Sequence, residues 1–330
     1  MNFPPVSKPY FSDDPKRESF WLLFLLAVTV LSAAVLIFAW PFTRSLDFIV
    51  ALQQWRTIPG VELLFRGFTF LGDDEFYMIF FSILVWCISK SLGFWGVFML
   101  LSSGTYSSLI KDITLLERPQ LEAVEYPHGS YAFPSGHALT AVTVWCYLAV
   151  RIKSSGFWIW TFVAVFMVSL SRLVLGHHFL GDVLGGFAFG IPFLLFFLWL
   201  SARFYEKGWL DKFSTPVLLF LSIALPVLLV AILPGTDPPK FLGYLAGASF
   251  GYIIEKEKLR SVVSGPLPIQ LLKTLLGLAV LFGLILGLGG ILPSAVTPLG
   301  FIRYSLGGMW VTLGAPAFFV YFKLASKESK

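Results

Sequence analysis

The chain has 330 residues, 57% of them hydrophobic and only 13% charged, with a net charge of +5. A mean hydropathy of +0.80 excludes an ordinary soluble domain, in which about a quarter of residues are charged. The scattered Lys and Arg exclude a basic tail of the kind that holds nucleic acid, so an all-α, polytopic membrane protein is expected, its backbone satisfied inside helices.

In chain order, a polar N-terminus from Met1 to Ser19 leads into a first apolar run at 20–40. That run is too long for a signal-peptide core and reads as a retained span. Residues 46–58, LDFIVALQQWRTI, repeat apolar positions at helical spacing and carry Trp55 and Arg56, which suits a helix lying in the interface plane. Further apolar segments follow at roughly 75–90, 92–110, 137–152, 157–175, 180–200, 216–233, 241–254, 270–291 and 305–325. The amphipathic stretch 61–71 is a candidate backward extension of the 75–90 segment. Asp73, Asp74 and Glu75 read as a solvated turn, with headgroup contact as the alternative. Cys87 and Cys146 lie inside apolar runs and read as small core residues.

Glycines recur every four residues: Gly186 and Gly190; Gly243, Gly247 and Gly251; Gly283 and Gly287. Such faces let helices approach closely in lipid. Packing within the chain is the first reading and a homodimer seam the second. Three divisions are expected: 1–59 as tail, first span and interfacial helix; 60–200 as a core; 201–330 as a C-terminal transmembrane extension. Within the extension, RYSLGGMWVTLGAP at 303–316 matches no motif. Of the 24 Lys and Arg, sixteen fall in loops on one side of the alternating spans and eight on the other. The positive-inside rule then places both termini in the cytoplasm.

Three polar clusters sit at span ends, all on the outer side. The first is KDITLLERP, with Lys111 and Arg118 seven residues apart and so near one helical face, before Pro119. The second is FPSGHAL, where Pro134, Ser135 and Gly136 form a helix start, Ser135 is a candidate N-cap and His137 stands in the first turn. The third is SRLVLGHHFLGD, with Arg172, His178 and Asp182. His178 and Asp182 face each other if that stretch is helical; alternatively Gly176 ends one helix and His178 precedes the next. Cations at a membrane boundary need an anion to balance them. A phosphate fits: it takes guanidinium and ammonium groups and the free N–H groups of a helix N-terminus. One histidine could then attack phosphorus, an aspartate could orient it, and the other histidine could protonate the leaving alcohol. No carboxylate cluster suggests a metal, and no cofactor is expected.

Lys111-x6-Arg118-Pro119, Pro134-Ser135-Gly136-His137 and Ser171-Arg172-x5-His178-x3-Asp182 resemble the three-part signature of the type 2 phosphatidic acid phosphatase superfamily. The resemblance covers roughly 60–200. It implies a six-helix core, here followed by about four added spans, and metal-independent hydrolysis of lipid phosphates or diphosphates. On the motif match, His178 is the nucleophile, Asp182 its partner and His137 the general acid. Lys111, Arg118, Ser135, Gly136, Arg172 and Pro134 line the phosphate pocket. FTFLGDDEFY at 68–77 is similar to the branch that includes sphingosine-1-phosphate and dolichyl diphosphate phosphatases.

Taken singly, each residue has a plainer reading: Arg118 as an interfacial anchor, His137 as a packing residue, Asp182 as a dipole partner. His177 reads as pocket wall and His128 as an ordinary loop residue. Eleven Trp and eleven Tyr suit interfacial belts. The rival functions are a lipid phosphotransferase with the same intermediate, a lipid-phosphate transporter or scramblase with a binding-only site, and vanadate-dependent halide oxidation. The expected partners are a lipid phosphate or diphosphate and the bilayer, with no nucleic acid. The charge asymmetry puts the site on the outer face. A label in the 119–133 loop should therefore react from outside intact cells; reaction only after lysis would invert the topology.

Overall fold

In the computed structural model, which describes residues 11–121, 130–206, 212–233, 235, 237–295 and 297–328, each of the ten apolar runs lies on a helix. His128 lies outside the described residues. The helices are α1 (Pro15–Phe38), α2 (Trp40–Thr43), α3 (Leu46–Gln53), α4 (Val61–Phe70), α5 (Asp74–Ile83), α6 (Lys90–Thr114), α7 (Gly136–Ile152), α8 (Ser155–Val174), α9 (Leu180–Glu206), α10 (Thr215–Ile232), α11 (Asp237–Ile254), α12 (Leu267–Gly287), α13 (Thr297–Met309) and α14 (Ala315–Tyr321). Single wide π turns follow α5, α11 and α13, at Leu84–Ile88, Glu255–Leu259 and Trp310–Gly314. There is no β-strand among the described residues. Five of the described helices, α1, α8, α9, α10 and α12, are long and apolar enough to cross a membrane.

The helix starts follow local rules. Asp14 accepts from the Lys16 N–H at 2.9 Å and Pro15 occupies the first turn of α1, where a missing N–H costs nothing. Ser45 and Ser154 cap α3 and α8 through the Phe48 and Phe157 N–H groups. The 61–71 stretch does not extend the next span. α4 ends at Phe70, and a turn at Leu71–Asp73 separates it from α5, with the Gly72 N–H donating to the Thr69 carbonyl and the Asp73 N–H to that of Phe70.

The chain divides into two units, each with its own core. One comprises Val6–Tyr77 and Tyr106–Arg203. In it, Trp21 of α1 stacks on Trp158 of α8 at 4.6 Å. Ile49 of α3, fully buried, joins Ala138, Leu173, Phe179 and Val183, which pins the ends of α7, α8 and α9 together. Gly186 and Gly190 of α9 face α7: a Cβ on Gly186 would lie 2.8 Å from that of Ala138. This glycine face is spent on packing within the chain.

The other unit holds Met78–Thr105 and Phe204–Lys330. Its seam is α11 against α13. Ser305 Oγ donates to the Gly243 carbonyl and Thr312 Oγ1 to that of Ala248, each at 2.9 Å. Side-chain to backbone bonds of this kind, with close van der Waals contact, hold helices together where no hydrophobic force separates protein from lipid. The 303–316 stretch that matched no motif therefore supplies packing: Ser305, Gly307, Gly308 and Thr312 meet α11 and α12, and Trp310 Nε1 donates to the Gly277 carbonyl at 2.9 Å. Lys273 is fully buried, its ammonium on the carbonyls of Trp86 and Val263 at 2.9 and 3.1 Å. Gly283 and Gly287, by contrast, have nothing within 4 Å of an added Cβ.

Gly247 is the tightest point, since a Cβ there would fall 1.8 Å from the Ser305 carbonyl oxygen. Gly247→Ala should cost about 1–3 kcal/mol by overpacking, read as a lower melting temperature in detergent. Gly287→Ala should leave it unchanged.

Candidate active site

The third cluster is built by two local motifs joined end to end. α8 stops at Val174, and Gly176 adopts φ +76°. The His177 N–H donates to the Arg172 carbonyl at 2.9 Å and the Gly176 N–H to that of Leu173 at 3.0 Å, the two bonds of a Schellman ending. A side chain on Gly176 would be strained and would strike Gln53. Asp182 then opens α9 by reaching back, its Oδ2 accepting from the Phe179 N–H at 2.8 Å, in the manner of a capping box. His178 is held between these motifs, outside both helices. Of the two geometries left open by the sequence, it is the second that occurs.

His178 is 1% exposed and Asp182 fully buried. Arg118 Nη1 donates to His178 Nε2 at 3.1 Å and to the His177 carbonyl at 2.9 Å. A guanidinium can only donate, so Nε2 must be the acceptor and the proton sits on Nδ1. Nδ1 lies 3.4 Å from Asp182 Oδ2, a charge contact longer than a good hydrogen bond. Burial holds the His178 imidazole well below the usual histidine range, reinforced by the charges of Arg118, Arg172, Lys111 and His137. Burial also lowers His177, to about 3, aided by Arg172 and Arg118.

The other expected residues lie around this pair. Arg172, 8% exposed in the last turn of α8, donates to Thr69 Oγ1 at 2.5 Å. The Ser135 N–H donates to the Asp182 carbonyl at 2.8 Å, which docks the start of α7 on α9. Ser135 sits at the N-cap position, yet its hydroxyl makes no capping bond. That oxygen is buried and finds no hydrogen-bond partner among the described residues. An added Cβ on Gly136 would lie 3.5 Å from Lys111 Nζ, so the lysine reaches the N-terminus of α7. His137 Nε2 is 2.8 Å from Asp73 Oδ1.

Three expectations need correction. Lys111 and Arg118 do not share a helical face, because α6 ends at Thr114 and Leu115 turns the chain with φ +52°. They meet the site from a helix end and from the irregular segment that follows it, Arg118 being braced by Ser130 Oγ at 3.0 Å. Ser135 does not cap with its side chain. Asp73 is not merely a solvated turn residue; it binds His137. One residue was not foreseen at all. Arg44, just after α2, donates from Nη1 to Asp182 Oδ1 at 2.7 Å and from Nη2 to the Glu117 carbonyl at 2.6 Å, and lies over the Phe179 ring. Nothing in the local sequence marks it, since a lone Arg after a span is ordinarily an anchor.

Two family models match this chain. The PAP2 superfamily covers residues 92–207 and the PAP2 superfamily phosphatase transmembrane extension covers 239–327. Phosphatidylglycerophosphatase B of Bacillus subtilis is 34% identical over 156 residues, 42% of this chain and 74% of that protein. The chain belongs to the PAP2 superfamily. A probable sphingosine-1-phosphate phosphatase of Dictyostelium discoideum is 24% identical, over 64% of this chain and 57% of that protein. Sphingosine-1-phosphate phosphatase 1 of Rattus norvegicus is 28% identical, over 44% and 36%. The crystal structure of a transmembrane PAP2-type phosphatidylglycerolphosphate phosphatase from Bacillus subtilis aligns with a TM-score of 0.41 at 23% identity, over 58% of this chain and 95% of that one. This PAP2 phosphatase is a multi-pass membrane protein, and its helices beyond residue 239 are a recognised extension of the family. Arg44, Thr69 and Asp73 lie outside the 92–207 match.

The neutral His178 gives the fold a pH signature. Once unfolded, the imidazole takes up a proton below about pH 6.5, which the folded form refuses. Its contribution to stability is thus present above that pH and lost as pH falls toward the depressed folded value. Between pH 7.5 and 5.0 the melting temperature should fall further for the wild type than for His178→Gln; parallel curves would show that His178 is not held neutral.

Proposed function

We propose that this PAP2 phosphatase hydrolyses a lipid phosphate through a phospho-histidine on His178, without a metal ion. The observation that carries the reading is the Arg118–His178 bond, which leaves the Nε2 lone pair aimed at a guanidinium. A phosphate entering there takes the guanidinium for its oxygens and exposes its phosphorus to Nε2. Lys111, Arg172, the Ser135 hydroxyl and the N–H groups opening α7 supply further donors.

In the first step Nε2 attacks phosphorus and the P–O bond to the lipid alcohol breaks. The leaving oxygen takes a proton from His137, and the charge developing on His178 is balanced by Asp182. In the second step His137, now neutral, accepts a proton from water. The water oxygen bonds to phosphorus, the P–N bond breaks, and inorganic phosphate leaves. Positioning and charge do the rest, as in phosphoryl transfer generally. Among the described residues no three His, Cys, Asp or Glu side chains are grouped to hold an ion.

The substrate class follows from depth. Phosphatidylglycerophosphate and sphingoid phosphates, named in the relatives, both carry a phosphate monoester on an apolar anchor, and isoprenoid diphosphates share that design. The span-end clusters and the charge asymmetry favour an outward-facing site. Purified protein should release phosphate from at least one lipid of such a panel in excess chelator. His178→Ala should lower the rate by at least ~1,000-fold while lipid binding remains. Strict Mg2+ dependence would overturn the metal-free step, and an undiminished rate would move the nucleophile.

A further inference from the structure

The reaction asks two opposite things of two histidines in one positive pocket. His178 must be neutral to attack, and the cations around it help. The general acid must be protonated, and the same cations oppose that. An imidazolium among Lys and Arg side chains needs a carboxylate of its own.

The turn between α4 and α5 provides one. Asp73 Oδ1 lies 2.8 Å from His137 Nε2. Burial works against ionisation of Asp73, but the hydrogen bond and charge of His137, with the nearby Arg172 and His177, outweigh it and hold the carboxyl below its usual range. The turn is shaped for this contact. A Cβ on Gly72 would fall 2.6 Å from His137 Cδ2, so glycine lets the backbone press against the ring. Thr69, at the other end of the turn, accepts from Arg172 at 2.5 Å. One turn thus holds a phosphate-pocket arginine and the second histidine together.

We propose that Asp73 is the positioning residue of the general acid: its carboxylate favours a proton on His137 against the surrounding cations and fixes which nitrogen works. With Nε2–H bound to Asp73, the proton for the leaving oxygen comes from Nδ1. After transfer the imidazole is neutral, Nε2–H stays on Asp73, and the Nδ1 lone pair takes the proton from water. The same nitrogen gives and retakes the proton, and Asp73 itself stays ionised throughout. The two dyads use opposite ring atoms: His178 turns Nδ1 to Asp182, whereas His137 turns Nε2 to Asp73.

This rests on the hydrolytic reading above, and the leaving group separates the two. An alkyl lipid phosphate expels a basic alkoxide and needs the acid; p-nitrophenyl phosphate expels a stable phenolate and does not. Asp73→Asn keeps the size of the side chain and removes its charge. It should lower kcat/KM for the lipid phosphate by about 10- to 100-fold, the scale of losing a group that orients a reacting one, and for the aryl phosphate by no more than about threefold. His137→Ala should show the same selectivity, and adding Asp73→Asn to it should cost nothing further. Equal losses on both substrates, or none, would overturn the proposal and leave Asp73 a structural tether. Should Asp73→Asn not fold, Asp73→Glu displaces the carboxylate and is read against the same pair by the same criterion. A wild type inert toward both substrates would instead sink the hydrolytic reading.

Discussion

The carboxylate of Asp182 is the joint on which the site depends. One oxygen closes the first turn of α9 through the Phe179 N–H and faces His178; the other is held by Arg44. The carbonyl of the same residue receives the Ser135 N–H. Three segments far apart in the chain therefore meet at one fully buried residue. A buried carboxylate is stable only when its partners are present and well placed, so the requirement that holds Asp182 also fixes the approach of α2, α7 and α9. The Schellman ending of α8 completes the frame by delivering His178 at a set height.

Around that joint the unit gathers the positive charges of Lys111, Arg118 and Arg172 near His178. Arg118 leans on a histidine and on carbonyls, Arg172 on a hydroxyl, and the Ser135 hydroxyl is buried with no hydrogen-bond partner among the described residues. A buried hydroxyl costs free energy until it is paired. The phosphate proposed above would supply that partner. The two histidines differ in their partners: His178 has its Nε2 lone pair against a guanidinium, and His137 has its Nε2 on the Asp73 carboxylate.

The extension obeys a different logic. Its α11–α13 seam has glycine on one side and Ser, Thr and glycine on the other, and it is held by hydroxyl-to-carbonyl bonds and backbone proximity. Close packing of this kind requires nothing of a ligand, which explains why 303–316 carries no recognisable chemistry. The glycine repeats at 186–190 and 243–251 are taken up in packing within the chain.

Much was legible from residues alone. Composition and apolar runs determined an all-α membrane chain, because lipid demands that backbone groups be satisfied locally. The three motifs determined which side chains gather, since helix ends and glycine or proline stops are local events. Tertiary structure alone decided how those side chains are aimed. Whether Lys111 and Arg118 share a face depended on a left-handed Leu115, which no propensity announces. That Ser135 spares its hydroxyl, and that Arg44 and Asp73 serve Asp182 and His137, depended on contacts spanning up to 138 residues. Sequence patterns record what a residue does to its neighbours in the chain; a charged side chain is placed by whichever distant partner repays its burial, and that partner is known only once the helices have packed.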